Sequence, residues 1–250
     1  MLKCFAEVNR FAMTEPTIRK EKIELAVSDG SPMPAYTAMP DQPGPHPGLL
    51  LFQEAFGVNH HIRDVADRFA REGYVVIAPE LFHRTAPPGF EASYTDFAAV
   101  MPHLQALTPS AIEHDVRAAY DWLRSNKSVD ANQISSVGFC VGGRVSFIAN
   151  SIVNLRAAVS FYGGGIAPAL LDRAPRQQAP LLLIWGGLDN HLPAEYRKSI
   201  SDALAAQQKN FVSTEFSKAD HGFFCDERAA YEPFSAKQAW ALTLEFLRSS

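Results

Sequence analysis

GFCVGG, residues Gly138–Gly143, is the stretch that decides the fold of this 250-residue chain. It lies between an apolar run that predicts a β-strand (134–139) and a run that predicts a helix (141–151). Glycines on both sides of a central nucleophile are typical of the tight strand-to-helix turn called a nucleophile elbow, where larger side chains would collide with nearby backbone. The turn exposes its central residue at a helix N-terminus, where the helix dipole and free N–H groups favour negative charge. We therefore predict that Cys140 is a nucleophile, at the position where this motif usually has serine.

The alternative for Cys140 is a purely structural role. An isolated cysteine at the end of an apolar strand is usually just a small buried residue. Three glycines in this short turn are better explained by an elbow than by core packing, so the catalytic interpretation is favoured.

On either side of the elbow, short apolar runs bounded by Gly and Pro alternate with longer amphipathic stretches. This alternation predicts βαβ units, and hence a mostly parallel sheet covered by helices on both faces. Together with the elbow it predicts an α/β-hydrolase fold. The predicted strands are 22–27, 34–38, 48–53, 74–78, 134–139, 157–162, 180–185 and 211–216, and the predicted helices are 60–73, 110–125, 141–151, 194–208 and 232–248.

The length of the chain is ordinary for a single α/β domain with one large core. We assign that domain to residues 18–250 and treat residues 1–17 as a loosely ordered N-terminal extension, because strand-like alternation begins only after Met13. The segment 79–109 has no clear period, which predicts a loop or a small cap over the sheet edge. Loops in such places often determine specificity.

Two later residues can complete a triad with Cys140. In α/β-hydrolases the acid and then the histidine follow the nucleophile, each at the carboxyl end of a later strand. Asp189 follows the predicted strand 180–185, and His221 follows the predicted strand 211–216. Either residue alone would be interpreted as an ordinary loop residue, but the order of the three favours a triad.

The remaining histidines are weaker candidates. His191 lies only two residues after Asp189, with no strand of its own, so it ranks below His221. His60 and His61 are adjacent on a predicted helix and do not face one another as residues four apart would. We expect both at the surface.

Glu54 directly follows the apolar run 48–53, level with the elbow in a parallel sheet. An ionisable side chain in that place is costly unless it has a partner, and we expect it to hydrogen-bond the Cys140 thiol. The backbone N–H groups of Ala55 and Val141 occupy the two usual oxyanion-hole positions of this fold.

Composition excludes several function classes. The net charge is −4, and the basic residues are scattered, which argues against a nucleic-acid or membrane-surface partner. Three cysteines without CxxC spacing suggest neither a disulfide framework nor a zinc site, and no apolar run resembles a signal peptide or a membrane span. We expect a cytoplasmic protein, a monomer or small homo-oligomer, that acts on a small molecule.

Four motifs in the chain, in the same order, resemble those of dienelactone hydrolases, and the resemblance runs from about Ile23 to Leu247. The motifs are QEAFGVN (53–59), the GFCVGG elbow, WGGLDNHLP (185–193) and ADHGFF (219–224). The resemblance implies a cysteine-dependent α/β-hydrolase that opens dienelactone to maleylacetate through an acyl-enzyme, without a metal or cofactor. It also implies that Cys140, Asp189 and His221 form the triad, and that Glu54 contacts the resting thiol and takes part in its activation.

The chain departs from that family where the substrate would be bound. Enzymes of that family bind the lactone carboxylate through arginines, but the segment 85–116 contains no arginine. After His221 the nearest arginine is Arg228, whereas the matching place is about Cys225. Candidate substrate contacts are therefore Arg228, Phe56 and Arg84, the last of which could equally brace its loop.

Three functions remain open from the sequence. The first is hydrolysis of a dienelactone-like lactone or small carboxylic ester through Cys140. The second is a broad-range carboxylesterase or thioesterase with the same machinery, which the missing arginines favour. The third is a non-catalytic binding or redox-responsive protein, because an accessible thiol can also be oxidised.

Overall fold

The computed structural model describes residues 16–250, and these form an eight-stranded sheet with helices on both faces. The strands are β1 (Ile18–Ala26), β2 (Pro32–Pro40), β3 (His46–Phe52), β4 (Val75–Pro79), β5 (Val129–Phe139), β6 (Ala158–Phe161), β7 (Leu181–Gly186) and β8 (Phe211–Phe216). The helices are α1 (His60–Arg71), α2 (Phe97–Ala106), α3 (Pro109–Ser125), α4 (Val141–Ala149), α5 (Ala194–Ala206) and α6 (Pro233–Ser249), with a short 3₁₀ helix at Leu171–Arg176.

The strand order across the sheet is β1-β2-β4-β3-β5-β6-β7-β8. Strands β1, β2 and β4 pair antiparallel, and all pairs from β4 to β8 are parallel. The carboxyl ends of parallel strands meet at one edge of a sheet, where ligand sites of open α/β sheets lie. The segments that follow β3, β5, β7 and β8 therefore share one edge, and each carries at least one predicted site residue.

The helices bury the sheet from both sides. Helices α1 and α6 contact each other through Phe69 and Trp240, whose ring centroids are 4.5 Å apart, while α3 and α4 pack together against β5. Every residue of β4, β6 and β7 is buried. Strands covered on both faces are expected to be continuously apolar, which explains runs such as LLLIW in β7.

The predicted fold class is confirmed, and the differences are local. Strand β5 begins at Val129 rather than 134, and the segment 79–109 contains α2, a helix that the sequence analysis did not predict. Only Val100 of α2 is buried, so the helix carries no apolar stripe; the Asp96 side chain caps it by accepting from the Ala99 N–H.

The expectation for the first 17 residues lies almost wholly outside the described residues, which begin at residue 16. Between residues 16 and 250, no helix is both long and apolar enough to cross a membrane.

Candidate active site

The elbow places Cys140 in a strained backbone conformation with positive φ, at φ 55° and ψ −117°. A Cβ on Gly138 would lie 1.9 Å from the Gly142 carbonyl oxygen, and one on Gly142 would lie 2.3 Å from that of Phe52. The Cys140 N–H donates to the Phe161 carbonyl at 3.0 Å, which ties the turn to β6. A strained conformation of this kind costs about 1–3 kcal/mol and persists only where its surroundings enforce it. The two glycines are therefore a steric requirement of the turn.

The structure brings Cys140, His221 and Asp189 into one hydrogen-bonded relay. His221 Nδ1 lies 2.7 Å from Asp189 Oδ2, and His221 Nε2 lies 3.2 Å from Cys140 Sγ. The other Asp189 oxygen accepts from the N–H groups of His191 and Leu192 at 2.9 and 3.2 Å. Because the carboxylate is fixed on both sides, it sets the orientation of the imidazole toward the sulfur.

Electrostatics favour a protonated imidazole in this relay. Burial lowers the pKa of His221, but its hydrogen bonds with Asp189 and Cys140 outweigh burial and raise the pKa to about 10. Burial raises the pKa of Asp189, and the hydrogen bond from His221 together with the two backbone N–H groups lowers it overall. The arrangement therefore stabilises an imidazolium between the Cys140 sulfur and the Asp189 carboxylate. A general base needs such stabilisation after it has taken a proton.

Glu54 is buried beside the relay but does not make the expected contact. Its Oε1 accepts from the Tyr162 hydroxyl at 3.1 Å and faces Arg228 Nη1 at 3.5 Å, while Oε2 has no hydrogen-bond partner among residues 16–250. The thiol of Cys140 is hydrogen-bonded to His221 instead. The expectation of a Glu54–Cys140 hydrogen bond is thus wrong for this structure, because the imidazole is in reach of the sulfur.

Arg228 reaches the site from a position three residues later than the resemblance suggested. Successive turns after His221 fold the segment back, so that a Cβ on Gly222 would lie 2.0 Å from Arg228 Nη1. The guanidinium carbon lies 5.4 Å from the centre of the Phe56 ring and 5.9 Å from that of Tyr94. Burial lowers the pKa of Arg228, but nearby Glu54 raises it overall, so the side chain stays cationic.

Comparison with known proteins places this geometry in a family. The sequence profile of the dienelactone hydrolase family matches residues 33–250. The chain belongs to the dienelactone hydrolase family.

Its relatives are similar over nearly their whole length. A protein of Synechocystis sp. named "Putative carboxymethylenebutenolidase" is 37% identical over 233 residues, covering 90% of this chain and 91% of that protein. A protein of the same name in Escherichia coli K12 is 35% identical over 232 residues, covering 88% and 84%. The crystal structure of a "Putative Dienelactone Hydrolase" from Klebsiella pneumoniae matches with a TM-score of 0.85 at 31% identity, covering 94% of this chain and 100% of that one. The chain is therefore a hydrolase of a family that acts on small ester or lactone substrates.

In this dienelactone hydrolase family member, the two candidate oxyanion donors flank the elbow. Ala55 follows β3, and Val141 is the first residue of α4. Gly142 lies against the Phe52 and Gln53 carbonyls, so the start of α4 and the end of β3 are in contact. Between residues 16 and 250, no hydrogen bond engages the N–H of Ala55 or Val141. Both N–H groups thus have no acceptor within this part of the chain.

Arg84 lies in a different network. Its Nη1 and Nη2 donate to the two oxygens of Asp115 at 2.9 and 2.7 Å, and its Nε donates to Asp29 at 2.8 Å. Asp115 is fully buried and also contacts His83 at 3.1 Å. The sequence left two roles open for Arg84, a substrate contact or a brace for its loop. The structure shows the second.

The expectation that both adjacent histidines lie at the surface is wrong for His61. His60 is exposed, but His61 is 2% exposed, because it lies on the same face of α1 as Val65 and packs near Phe139 and Phe224. His61, Cys225 and Asp226 have possible metal-ligand atoms within 4.8 Å of one another, the one such group among the described residues. Burial raises the pKa of Cys225 to about 11, and its Sγ lies 3.3 Å from the Tyr94 hydroxyl, so this thiol stays protonated.

Proposed function

We propose that this protein hydrolyses a lactone or small carboxylic ester through a covalent thioester on Cys140. The observation that carries the proposal is the continuous relay from Asp189 through His221 to the Cys140 sulfur. A nucleophile, a base and an orienting acid in hydrogen-bond reach of one another are the arrangement that activates a covalent catalyst.

The first half-reaction forms the acyl-enzyme. His221 Nε2 takes the thiol proton, and the Cys140 sulfur attacks the substrate carbonyl carbon. The carbonyl oxygen becomes an oxyanion, which the N–H groups of Ala55 and Val141 stabilise. When the intermediate collapses, the C–O bond to the alcohol breaks, and His221 returns its proton to the leaving alkoxide. For a lactone, that alkoxide or enolate stays part of the same molecule.

The second half-reaction releases the acid. His221 removes a proton from water, and the hydroxide attacks the thioester carbonyl carbon. The same two N–H groups stabilise the second oxyanion. Collapse breaks the C–S bond, the acid leaves, and the sulfur and imidazole share the proton again.

Glu54, Tyr162 and Arg228 are in contact with one another beside the His221 ring. Tyr162 is fully buried, its ring lies 5.1 Å from the His221 ring, and its hydroxyl donates to Glu54. We propose that these three side chains hold the polypeptide around Ala55 and His221 in place, and that Glu54 takes part in activating the thiol once a substrate separates Cys140 from His221.

A broad-range carboxylesterase or thioesterase is the second candidate. The observation that favours it is that both arginines predicted to bind substrate face carboxylates of the protein itself, Arg84 facing Asp115 and Arg228 facing Glu54. Relative turnover of dienelactone and of uncharged esters of similar size separates this candidate from the first.

The test is brief exposure to an activated ester followed by peptide mass spectrometry. We expect an acyl group on Cys140 and none on Cys225, which serves as the internal control. Cys140→Ala should remove both the adduct and turnover. Full turnover in Cys140→Ala would refute the proposal, and sulfenic acid on Cys140 without acylation would favour the redox-responsive alternative.

A further inference from the structure

Arg144 is a mostly buried cation without a carboxylate partner among residues 16–250. Its Nε is a buried donor without an acceptor. Burial lowers the pKa of Arg144, and the nearby Cys140 thiol and Tyr196 hydroxyl offset that effect only in part, so Cys140 is close enough to act on this charge. Arg84, Arg173 and Arg228, by contrast, each face a carboxylate. A buried charge that lacks a partner is costly, and proteins rarely keep one without a function.

Arg144 lies one helical turn after the nucleophile. It is the fourth residue of α4, and Cys140 precedes the first. Side chains on a helix lean toward its N-terminus, so the guanidinium extends back toward the sheet edge where Cys140 lies. At that edge it packs against the loop after β6, where a Cβ on Gly165 would lie 3.1 Å from both Arg144 Cδ and Nη1. Gly165 has φ +80°, so the loop is suited to glycine at the point of contact.

The guanidinium borders a small cavity with apolar walls. Its volume is about 160 Å³, and it is lined by Arg144 and Gly165 with Leu107, Ile112, Ile148 and Leu170. A cavity of about 150 Å³ is large enough for a benzene-sized molecule. Among the described residues, the cavity wall thus combines one planar cation with hydrocarbon and no acidic side chain.

We propose that this cavity is a carboxylate subsite, in which Arg144 binds a second carboxylate on the acyl part of the substrate. The inference rests on the proposed ester hydrolysis and assigns its substrate class. A guanidinium binds a carboxylate through two parallel hydrogen bonds, and the apolar walls suit a chain of a few methylene groups. A neutral acyl group would leave the charge unpaired, and a phosphate dianion would meet only one cation.

The test compares esters that differ only in that carboxylate. The pairs are monophenyl glutarate with phenyl pentanoate, and monophenyl adipate with phenyl hexanoate. We expect the parent protein to prefer the carboxylated member of a pair. Arg144→Met should reduce the ratio of the two kcat/KM values by roughly 10- to 100-fold, the range for loss of hydrogen bonds to a charged group. Arg144→Lys should retain part of the preference as a point charge.

Arg156→Met is the matched control. Arg156 also has a buried Nε without an acceptor, but it precedes β6 and so lies at the opposite edge of the sheet. Its removal should leave the ratio as in the parent. The proposal is overturned if Arg144→Met lowers both kcat/KM values equally, if it changes neither, or if Arg156→Met gives the same loss of ratio.

A binding measurement separates this inference from the proposed function. Calorimetry can measure glutarate binding to the Cys140→Ala protein without any turnover. We expect this binding to be lost when Arg144→Met is added. If the parent protein shows no esterase activity while the Cys140→Ala protein binds glutarate in a way that depends on Arg144, the subsite is supported and the hydrolysis is refuted. Esterase activity without such binding, and without a change of ratio, would refute the subsite and leave the hydrolysis standing.

Discussion

Cys140 and Cys225 both lie near Tyr162 and Arg228, yet the groups that contact the two sulfur atoms differ. Cys140 is partly buried in a strained turn, and its sulfur is 3.2 Å from the nitrogen of an imidazole that Asp189 orients. Cys225 is fully buried four residues after His221, and its hydrogen-bond partner is the Tyr94 hydroxyl. Burial, and then the charge of Glu54, raise the pKa of Cys225 to about 11. Under the proposed function, therefore, nearness to His221 along the chain does not make a thiol nucleophilic; an oriented imidazole beside the sulfur does.

The largest contrast is expected between the two alanine variants. Cys140→Ala should lower kcat/KM for an activated ester by about 10³-fold or more, because the covalent route is lost. Cys225→Ala should stay within about 2-fold, since that thiol contacts no group of the relay. Steady-state kinetics on both variants, with thermal melts to confirm folding, measures the difference. Comparable losses in the two variants would mean that the thiols do not have separate roles.

Asp189→Asn tests whether the oriented imidazole is what distinguishes Cys140. The substitution keeps the shape of the side chain but removes the charge that helps raise the pKa of His221, so that pKa should fall from about 10. We expect kcat to drop about 10²- to 10⁴-fold. Because the leaving group needs a proton from His221, the alkaline fall in kcat/KM should begin at lower pH than in the parent.

The matching control for this experiment is Asp220→Asn. Asp220 precedes His221 and contacts its backbone N–H rather than its ring. Its pH profile should follow that of the parent. An Asp189→Asn profile with an unchanged alkaline limb would contradict the role assigned to the carboxylate.

Alkylation compares the two thiols directly. At neutral pH, limiting iodoacetamide should modify Cys140 at least about 10-fold faster than Cys225, because only the thiolate reacts and the raised pKa of Cys225 keeps it protonated. Peptide mass spectrometry after short exposures gives both rates from one sample. In denaturant the two should react at similar rates, and a preference that survived unfolding would show that local sequence rather than folded geometry determines it.

The sequence was sufficient to predict the relay of Cys140, His221 and Asp189, but not the side chains that surround it. Cys140, Asp189 and His221 could be predicted because each follows a strand, and parallel strands bring their carboxyl ends to one edge. Arg228 was harder to place, since consecutive tight turns after His221 bring it back over Gly222. Such a path depends on backbone turns that no residue spacing reveals.

His61 and helix α2 show why the hydrophobic pattern of the sequence gave a wrong or missing prediction in places. The burial of His61 depends on which face of α1 meets the sheet, and a one-residue difference in helical phase separates it from exposed His60. Helix α2 has one buried residue, Val100, so it leaves no periodic signal in the sequence. No sequence pattern distinguishes Arg144, because its significance lies in the lack of a carboxylate partner among the described residues, which depends on packing.

The smallest expected effect concerns Glu54, whose charge acts on Cys225 and whose backbone adjoins the proposed oxyanion donor Ala55. Glu54→Gln removes the second-largest cause of the raised pKa of Cys225 and leaves the positive charge of Arg228 uncompensated, and both changes lower that pKa. Alkylation of Cys225 at mildly alkaline pH should therefore become a few-fold faster, while esterase activity at Cys140 declines. Glu72→Gln is the control, because that carboxylate pairs with Arg248 at the surface. A slower or unchanged reaction of Cys225 in Glu54→Gln would show that burial alone, rather than the shared carboxylate, separates the two thiols.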